Sequence, residues 1–292
     1  MTDSTTASGA AAQALPPISA LELDRRRYRR RNTGRSVLIS LVSTVVVAVL
    51  IWQFLVNSPG WEVTRQTFFS PEYFMAALPL VWDGLLLNMR VLVYAVAGVA
   101  VLATVLAGLR SLRGPVFFPL RFLAAAYTDL FRGTPFLIVL YLIGLGIPAL
   151  GLTDQIIPVE LLGSVALILT YSSYVAEVLR AGIEAVHPSQ RLAARSLGLS
   201  HYGTLRLVVL PQAIRKVTPA LMNDFISMQK DVGLISVLGA VDAVRQAQIQ
   251  VAMTYNYTAY VVAGLMFVAF SWPFIRFTDW LTARRQAREQ IG

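Results

Sequence analysis

An all-α integral membrane fold with six transmembrane helices is what this chain predicts, and three observations carry the expectation. The 292 residues are 56% apolar and only 14% charged, against about 25% charged in a soluble domain, so there is too little polar surface to coat a soluble globule. Apolar stretches of helix length recur along the chain, separated by polar connections. The 25 Lys and Arg, which outnumber 16 Asp and Glu for a net charge of +9, gather in alternate connections, as they do in multi-pass membrane proteins.

Residues 1–36 begin Ser/Thr/Ala-rich and end in Arg25, Arg26, Arg27, Arg29, Arg30, Arg31 and Arg35. They read as a disordered basic tail. Residues 37–56 hold no charge and at 1.5 Å per residue cross a hydrocarbon core of about 30 Å, giving a first span. A cleaved signal peptide fits less well, since the apolar run is too long and no small-x-small site follows. Residues 57–80, with Trp61, Phe68, Phe69, Tyr73 and Phe74, read as an extracytoplasmic interfacial segment. The second span is placed at Val81–Leu109, the third at Pro135–Leu150, the fourth at Leu161–Leu179 and the last at Tyr257–Leu281. The fourth carries Tyr171, Ser172, Ser173 and Tyr174, with Glu177 near its end. Between the fourth and the last, Thr218–Ala240 has helical apolar spacing but holds Asn223, Asp224, Gln229, Lys230 and Asp231, so it reads as a broken span.

Counting Lys and Arg by segment orients the bundle, because the positive-inside rule concerns those residues rather than net charge. With a cytoplasmic start the inner segments hold twenty and the outer ones only Arg65 and Arg245. Both termini are therefore expected in the cytoplasm of a plasma-membrane protein, with residues 283–292 as a second cytoplasmic tail. Topology accounts for the basic excess without nucleic acid.

Constellations for catalysis are missing from the sequence. There is no cysteine, so no disulfide framework, thiolate metal site or Cys nucleophile. No Gly-Lys pair occurs, hence no P-loop, and neither H-E-x-x-H nor Gly-x-Ser-x-Gly is present. His187 and His201 read as solvated loop residues without metal-ligand spacing. Asn256-Tyr257-Thr258 fits a glycosylation sequon but abuts a span. No enzyme, cofactor or metal site is expected in this chain.

The long inner connection is more informative. After Pro188 a helix-prone run reaches Leu197, Gly198 suits a left-handed C-terminal turn, and Ser200 suits a new N-cap. The second helix would place Tyr202, Leu205, Val208 and Val209 on one face and stop at Leu210-Pro211. An amphipathic cytoplasmic helix pair is the sort of element a partner groove can grip.

Ala193-Ala194-x3-Gly198, nine residues, then Val208-x-Leu210-Pro211 closely resembles the EAA loop of ABC importer permeases, EAA-x3-G-x9-I-x-LP. Tyr127-Thr128-Asp129-Leu130-Phe131-Arg132-Gly133-Thr134-Pro135 and Met222-Asn223-Asp224-Phe225-Ile226 through Lys230-Asp231 and Leu234 are similar to the polar amino acid permeases of the histidine, glutamine, glutamate and arginine group. The resemblance spans residues 76–282 and implies a five-span permease domain, 81–282, of the ABC type I importer kind, with the first span as an addition. It further implies a second permease protomer of the same or a homologous chain, a cytoplasmic ATPase dimer that binds the ATP, and an extracytoplasmic amino acid binding protein. Loop 187–211 would then be the coupling element, with Ala193, Ala194, Leu197, Tyr202 and Leu205 as its docking surface, Gly198 as its hinge, and Leu210-Pro211 as its end. Two positions depart from the pattern. Leu192 stands where the motif has Glu, and Val232-Gly233 replaces the hydroxyl pair that often follows Lys-Asp.

The charges in the broken span need partners or water, since a charge at a span centre costs about 2.5–3.5 kcal/mol on insertion scales. Lys230 and Asp231 could satisfy each other or a neighbouring protomer. Asp224 with Asn223 is expected to contact the ammonium or guanidinium of the substrate, and Tyr171 is grouped with them on the pathway. The rival reading is a secondary transporter or channel, which also places a polar broken helix in an Arg-flanked bundle but usually carries internal repeats that this chain does not show. An intramembrane enzyme lacks a nucleophile and base in matched spans.

Overall fold

The computed structural model describes residues 20–112, 114–151 and 157–289, which form two compact units, up to Val63 and from Thr64 onward. The first unit is dominated by helix α1, Ala20–Val56. Every side chain from Asn32 to Leu55 is exposed. The backbone of residues 20–36 is helical rather than disordered. Straight-chain Arg, Leu and Glu are good helix formers, and the span that follows supplies a nucleus from which the helix extends. The first 19 residues lie outside the described residues. A short helix α2, Trp61–Phe68, follows.

In the second unit α3, Pro71–Ser111, is a single helix of 41 residues. It begins ten residues before the boundary expected at Val81, so residues 71–80 are helix rather than an interfacial segment. Pro71 sits in the first turn, where its fixed φ favours initiation, and Pro79 is carried inside the helix. Its buried face runs Ala77, Val81, Leu85, Asn88, Leu92, Ala95, Val99, Ala103 and Leu106, spacings of three and four that make one stripe.

The third span differs from expectation. Phe136–Ala149 (α5) has 14 residues, about 21 Å at 1.5 Å per residue, and does not cross a bilayer alone. It continues α4, Phe118–Gly133, through a 104° bend. The cause is local: proline at 135 drives Thr134 out of helical backbone to φ −103°, ψ 128°. Helix α6, Val159–Glu184, packs chiefly against α3 and contacts α4 and α5. Short helices α7 (Pro188–Ser196) and α8 (His201–Thr204) form the connection to α9, Leu210–Asp231. A 3-10 stretch, Val232–Leu238, ends at Gly239 with φ 95°. Then come α10, Ala243–Thr254, and α11, Thr258–Glu289. Among the described residues four helices are long and apolar enough to span, and up to six spans result when each bent pair counts as one.

The second inner helix does not stop at Leu210-Pro211. From His201 helical backbone runs without interruption to Leu238, passing through a π stretch at Leu205–Val209. There the Leu210 N–H donates to Leu205 O, one residue further back than in an α-helix. This local widening lets Pro211, which cannot donate and crowds the carbonyl four residues earlier, sit inside a helix.

Small residues set the helix spacings, as membrane bundles require. A Cβ on Gly163 would lie 2.7 Å from Ile235, and one on Gly182 would lie 2.3 Å from Val217. The main core joins α3, α4, α5, α6 and α9 around Leu140, Leu167 and Ile235. A second joins α3, α10 and α11 around Val81 and Val262. A small third, Val186, Val209 and Ala213, lies beneath the α7–α8 connection.

Candidate functional site: the helix pair and the polar cluster

Helix α7 starts at His187, whose Nδ1 accepts from Ser189 N at 3.3 Å, so this histidine is an N-cap rather than a bare loop residue. The helix ends in a Schellman turn: Leu199 N donates to Ala194 O at 3.2 Å and Gly198 N to Arg195 O at 3.0 Å. Gly198 has φ 85°, backbone that a residue with a Cβ enters at a cost of about 1–2 kcal/mol. Ser200 Oγ then accepts from Gly203 N at 3.1 Å and starts α8. The two helices are thus fixed by one glycine and two caps.

Two cations close the end of α6, Arg191 from α7 and Lys216 from α9. A helix C-terminus leaves carbonyls without partners. At the end of α6 Lys216 Nζ donates to Ala185 O at 2.6 Å, and the Arg191 guanidinium donates to Ile183 O. The pair presents Leu192, 66% exposed, Ala193, Leu197, 84% exposed, and Tyr202, 68% exposed. Two residues expected on that surface are turned inward. Ala194 is 4% exposed, and Leu205 packs on the small core of Val186 and Val209. A face drawn from the sequence straddled the buried and exposed sides of two short helices. Leu210 is half-buried and Pro211 exposed, both inside the continuous helix.

The polar residues of α9 divide in the same way. Consecutive helical residues diverge by about 100°, so Asn223 and Lys230 are exposed while Asp224 and Asp231 turn toward the bundle. Lys230 makes no ion pair with Asp231. Instead Tyr171 Oη, on α6, donates to Asp231 Oδ2 at 2.8 Å, and Tyr171 is 6% exposed. Asp224, two turns earlier on α9, lies within electrostatic reach of Tyr171, and its Oδ2 is buried without a hydrogen-bond partner. The structure therefore brings Tyr171, Asp224 and Asp231 together, with exposed Lys230 within electrostatic reach of Asp231 but not bonded to it, and leaves Asn223 exposed. Among the described residues no group of His, Asp and Glu could hold a metal ion.

Three long-range contacts had no local signal in the sequence. Arg110, on α3, meets Glu177 at 2.6 Å, and Glu177 also meets Arg180 at 2.5 Å. Asn88, on α3, donates to Asp242 Oδ2 at 3.0 Å and accepts from Ala243 N at 3.1 Å, while Asp242 caps α10 through Arg245 N. Gln229 Nε2 donates to Ser271 Oγ at 2.8 Å, joining α9 to α11. Tyr127, in a segment singled out by resemblance, donates to Leu169 O at 2.8 Å and ties α4 to α6. Asn256 is buried and donates to Gln66 O at 2.9 Å, so its side chain is not presented as a glycosylation acceptor.

Comparison with known proteins agrees with this architecture. Residues 100–287 match the family described as binding-protein-dependent transport system inner membrane component. The arginine transport system permease protein ArtQ of Bacillus subtilis is 33% identical over 192 residues, 65% of this chain and 85% of that one. The inner membrane amino-acid ABC transporter permease protein YhdY of Escherichia coli is 32% identical over 274 residues, 88% of this chain and 73% of that one. A crystal structure of an amino acid ABC transporter with histidines has 35% identity and a TM-score of 0.64, over 70% of this chain and 94% of that one. Continuous apolar helices, a helix pair that keeps the EAA spacing and a family match over most of the bundle converge: the chain belongs to the binding-protein-dependent transport system inner membrane components, as a permease subunit of the ABC importer type.

Proposed function

We propose that this permease moves a polar amino acid into the cytoplasm, that the cargo is cationic, and that a separate ATPase drives it through the loop 187–211. The observation that carries the reading is the helix pair itself. Two short helices are fixed by a left-handed glycine, tied by Arg191 to the end of α6, and tipped with exposed Leu197 and Tyr202. A bundle without a P-loop needs an outside source of energy, and a rigid, exposed, apolar pair is suited to transmit it.

The geometry supports a direct route for the stroke. One continuous helix leads from Tyr202 to Asp224, about 33 Å at 1.5 Å per residue. A partner that shifts α8 therefore shifts the α9 carboxylates against Tyr171 on α6. The buried, unpartnered oxygen of Asp224 is suited to an ammonium or guanidinium group, and the relative named for arginine transport fits a cationic cargo. Exposed Asn223 and Lys230 are left for a second protomer, and both termini are cytoplasmic. An extracytoplasmic binding protein delivers the cargo.

Co-purification from mild detergent tests the class: a stoichiometric ATPase is expected, and uptake driven by a proton or sodium gradient without one would overturn the reading. Uptake by Asp224→Asn tests the cargo. Arginine or lysine uptake should fall at least tenfold, and an unchanged KM and rate for every amino acid tried would remove Asp224 from the pathway.

A further inference from the structure

We propose that the cytoplasmic face of this permease is built to receive a carboxylate side chain of its ATPase partner, in a cavity walled by Arg191, Arg195, His201 and Thr204. The inference rests on the coupling reading above and adds the charge of the partner's groove.

From Ala185 to Asn223 the chain contains no acidic residue, while Arg191, Arg195, Arg206, Arg215 and Lys216 all fall within it. The motif's own acid is missing too, since Leu192 occupies its place. Beside Leu192 lies a cavity of about 470 Å³, lined also by Ser111 and Glu184. Glu184 is already engaged with Arg180 at 2.5 Å. Two residues of this wall also carry a donor without a partner, Arg191 Nε and Thr204 Oγ1, both buried and unbonded, and Thr204 is 5% exposed. A guanidinium N–H can only donate, and a buried donor left unmade is costly. The missing group is therefore an acceptor, and the surrounding cations select an anionic one.

The rim argues for a protein donor. Leu192 in the wall, and Leu197 and Tyr202 on the same helix pair, are large, apolar and exposed, so a protein that delivers the acid can also cover these side chains. Charge complementarity commits the occupant to an Asp or Glu of the ATPase, set among apolar residues.

The test uses the full chain co-expressed with the ATPase that co-purifies with it, in two arms. First, p-benzoylphenylalanine at position 197 is photo-cross-linked, and the adduct is expected on the ATPase. Second, the Arg195→Lys and Arg191→Lys variants are treated with a water-soluble carbodiimide, which joins an amine to a carboxylate in direct contact. An amide link to an Asp or Glu of the ATPase, found by peptide mapping and absent from the parent, is the expected result. A photo-adduct on the ATPase without any such amide, or with the amide only to Glu184, overturns the acidic groove and leaves the coupling reading standing. Photo-adducts confined to lipid overturn both. Independently, Leu192→Glu should weaken ATPase association by about tenfold or more, because it sets like charges side by side. Tighter association would contradict the proposal.

Discussion

Adding one methyl group at Gly84 should unseat the turn that carries the break between the two halves of the last bent span. Asp242 and Ala243 cross α3 at this glycine, and a Cβ there would lie 2.4 Å from the Asp242 carbonyl carbon, 2.5 Å from Ala243 N and 2.6 Å from Asp242 O. All three are backbone atoms, so no rotamer change relieves the clash. Restoring an ordinary contact of 3.4 Å requires a movement of about 1 Å. That displacement stretches the Asn88–Asp242 and Ala243–Asn88 bonds from 3.0 and 3.1 Å beyond hydrogen-bond range. Overpacking costs about 1–3 kcal/mol, and a bond to a charged group is worth about 1.5–3 kcal/mol. The sum is about 3 kcal/mol or more, and at about 2–4 °C per kcal/mol for a chain of this size Gly84→Ala should lower Tm by at least roughly 6–12 °C. Fluorescence-detected unfolding in mild detergent measures this. Gly108→Ala is the control, because its Cβ meets nothing within 4 Å and alanine is the better helix former. A Gly84→Ala protein melting within about 1 °C of the parent would refute the packing argument.

Two other perturbations separate interior from surface charge. Glu177→Gln leaves Arg110, 17% exposed, without its anion and should cost about 2 kcal/mol in the same assay; Asp279→Asn, whose pair with Arg276 is about 60% exposed on both sides, should cost less than about 0.5 kcal/mol. Reporter fusions placed after Leu150 and Gln250 should score outside and those after Arg206 and Gly292 inside. A cytoplasmic score after Leu150 would mean that the α4–α5 pair re-enters rather than crosses.

How far the sequence reveals this molecule depends on the range of the interaction concerned. Local chemistry is readable: Gly198 takes the left-handed turn, Ser200 takes the cap, and the EAA spacing holds the pair together. Facing is harder. Buried Ala194 shares its nine-residue helix with exposed Ala193, and Leu205, first residue of the π stretch, follows the four-residue helix of exposed Tyr202; in elements so short the apolar period cannot say which side meets the protein. Proline misleads in both directions. Pro135 bends the chain by 104° at the start of what looks like a free-standing span, while Pro211 looks like a stop and is absorbed by a π stretch. Partners distant in sequence, Arg110 with Glu177 and Asn88 with Asp242, leave no trace in any local pattern. The polar cluster is half legible: Asp224 and Asp231 stand out as charges in a span, but that Tyr171 rather than Lys230 answers Asp231 follows only from how α6 lies against α9.

The central claim, that loop 187–211 couples this permease to an ATPase, is tested most directly at Gly198. Nothing lies within 4 Å of a Cβ built there, so Gly198→Asp strains only the turn, by about 1–2 kcal/mol, and sends its carboxylate outward to where a partner would dock. Amino acid uptake, membrane abundance and ATPase co-purification are to be measured together in cells carrying this variant. The expected result is near-normal abundance with uptake abolished and ATPase recovery sharply reduced. Uptake that falls only in proportion to the protein lost, with ATPase recovery per permease unchanged, would contradict the claim.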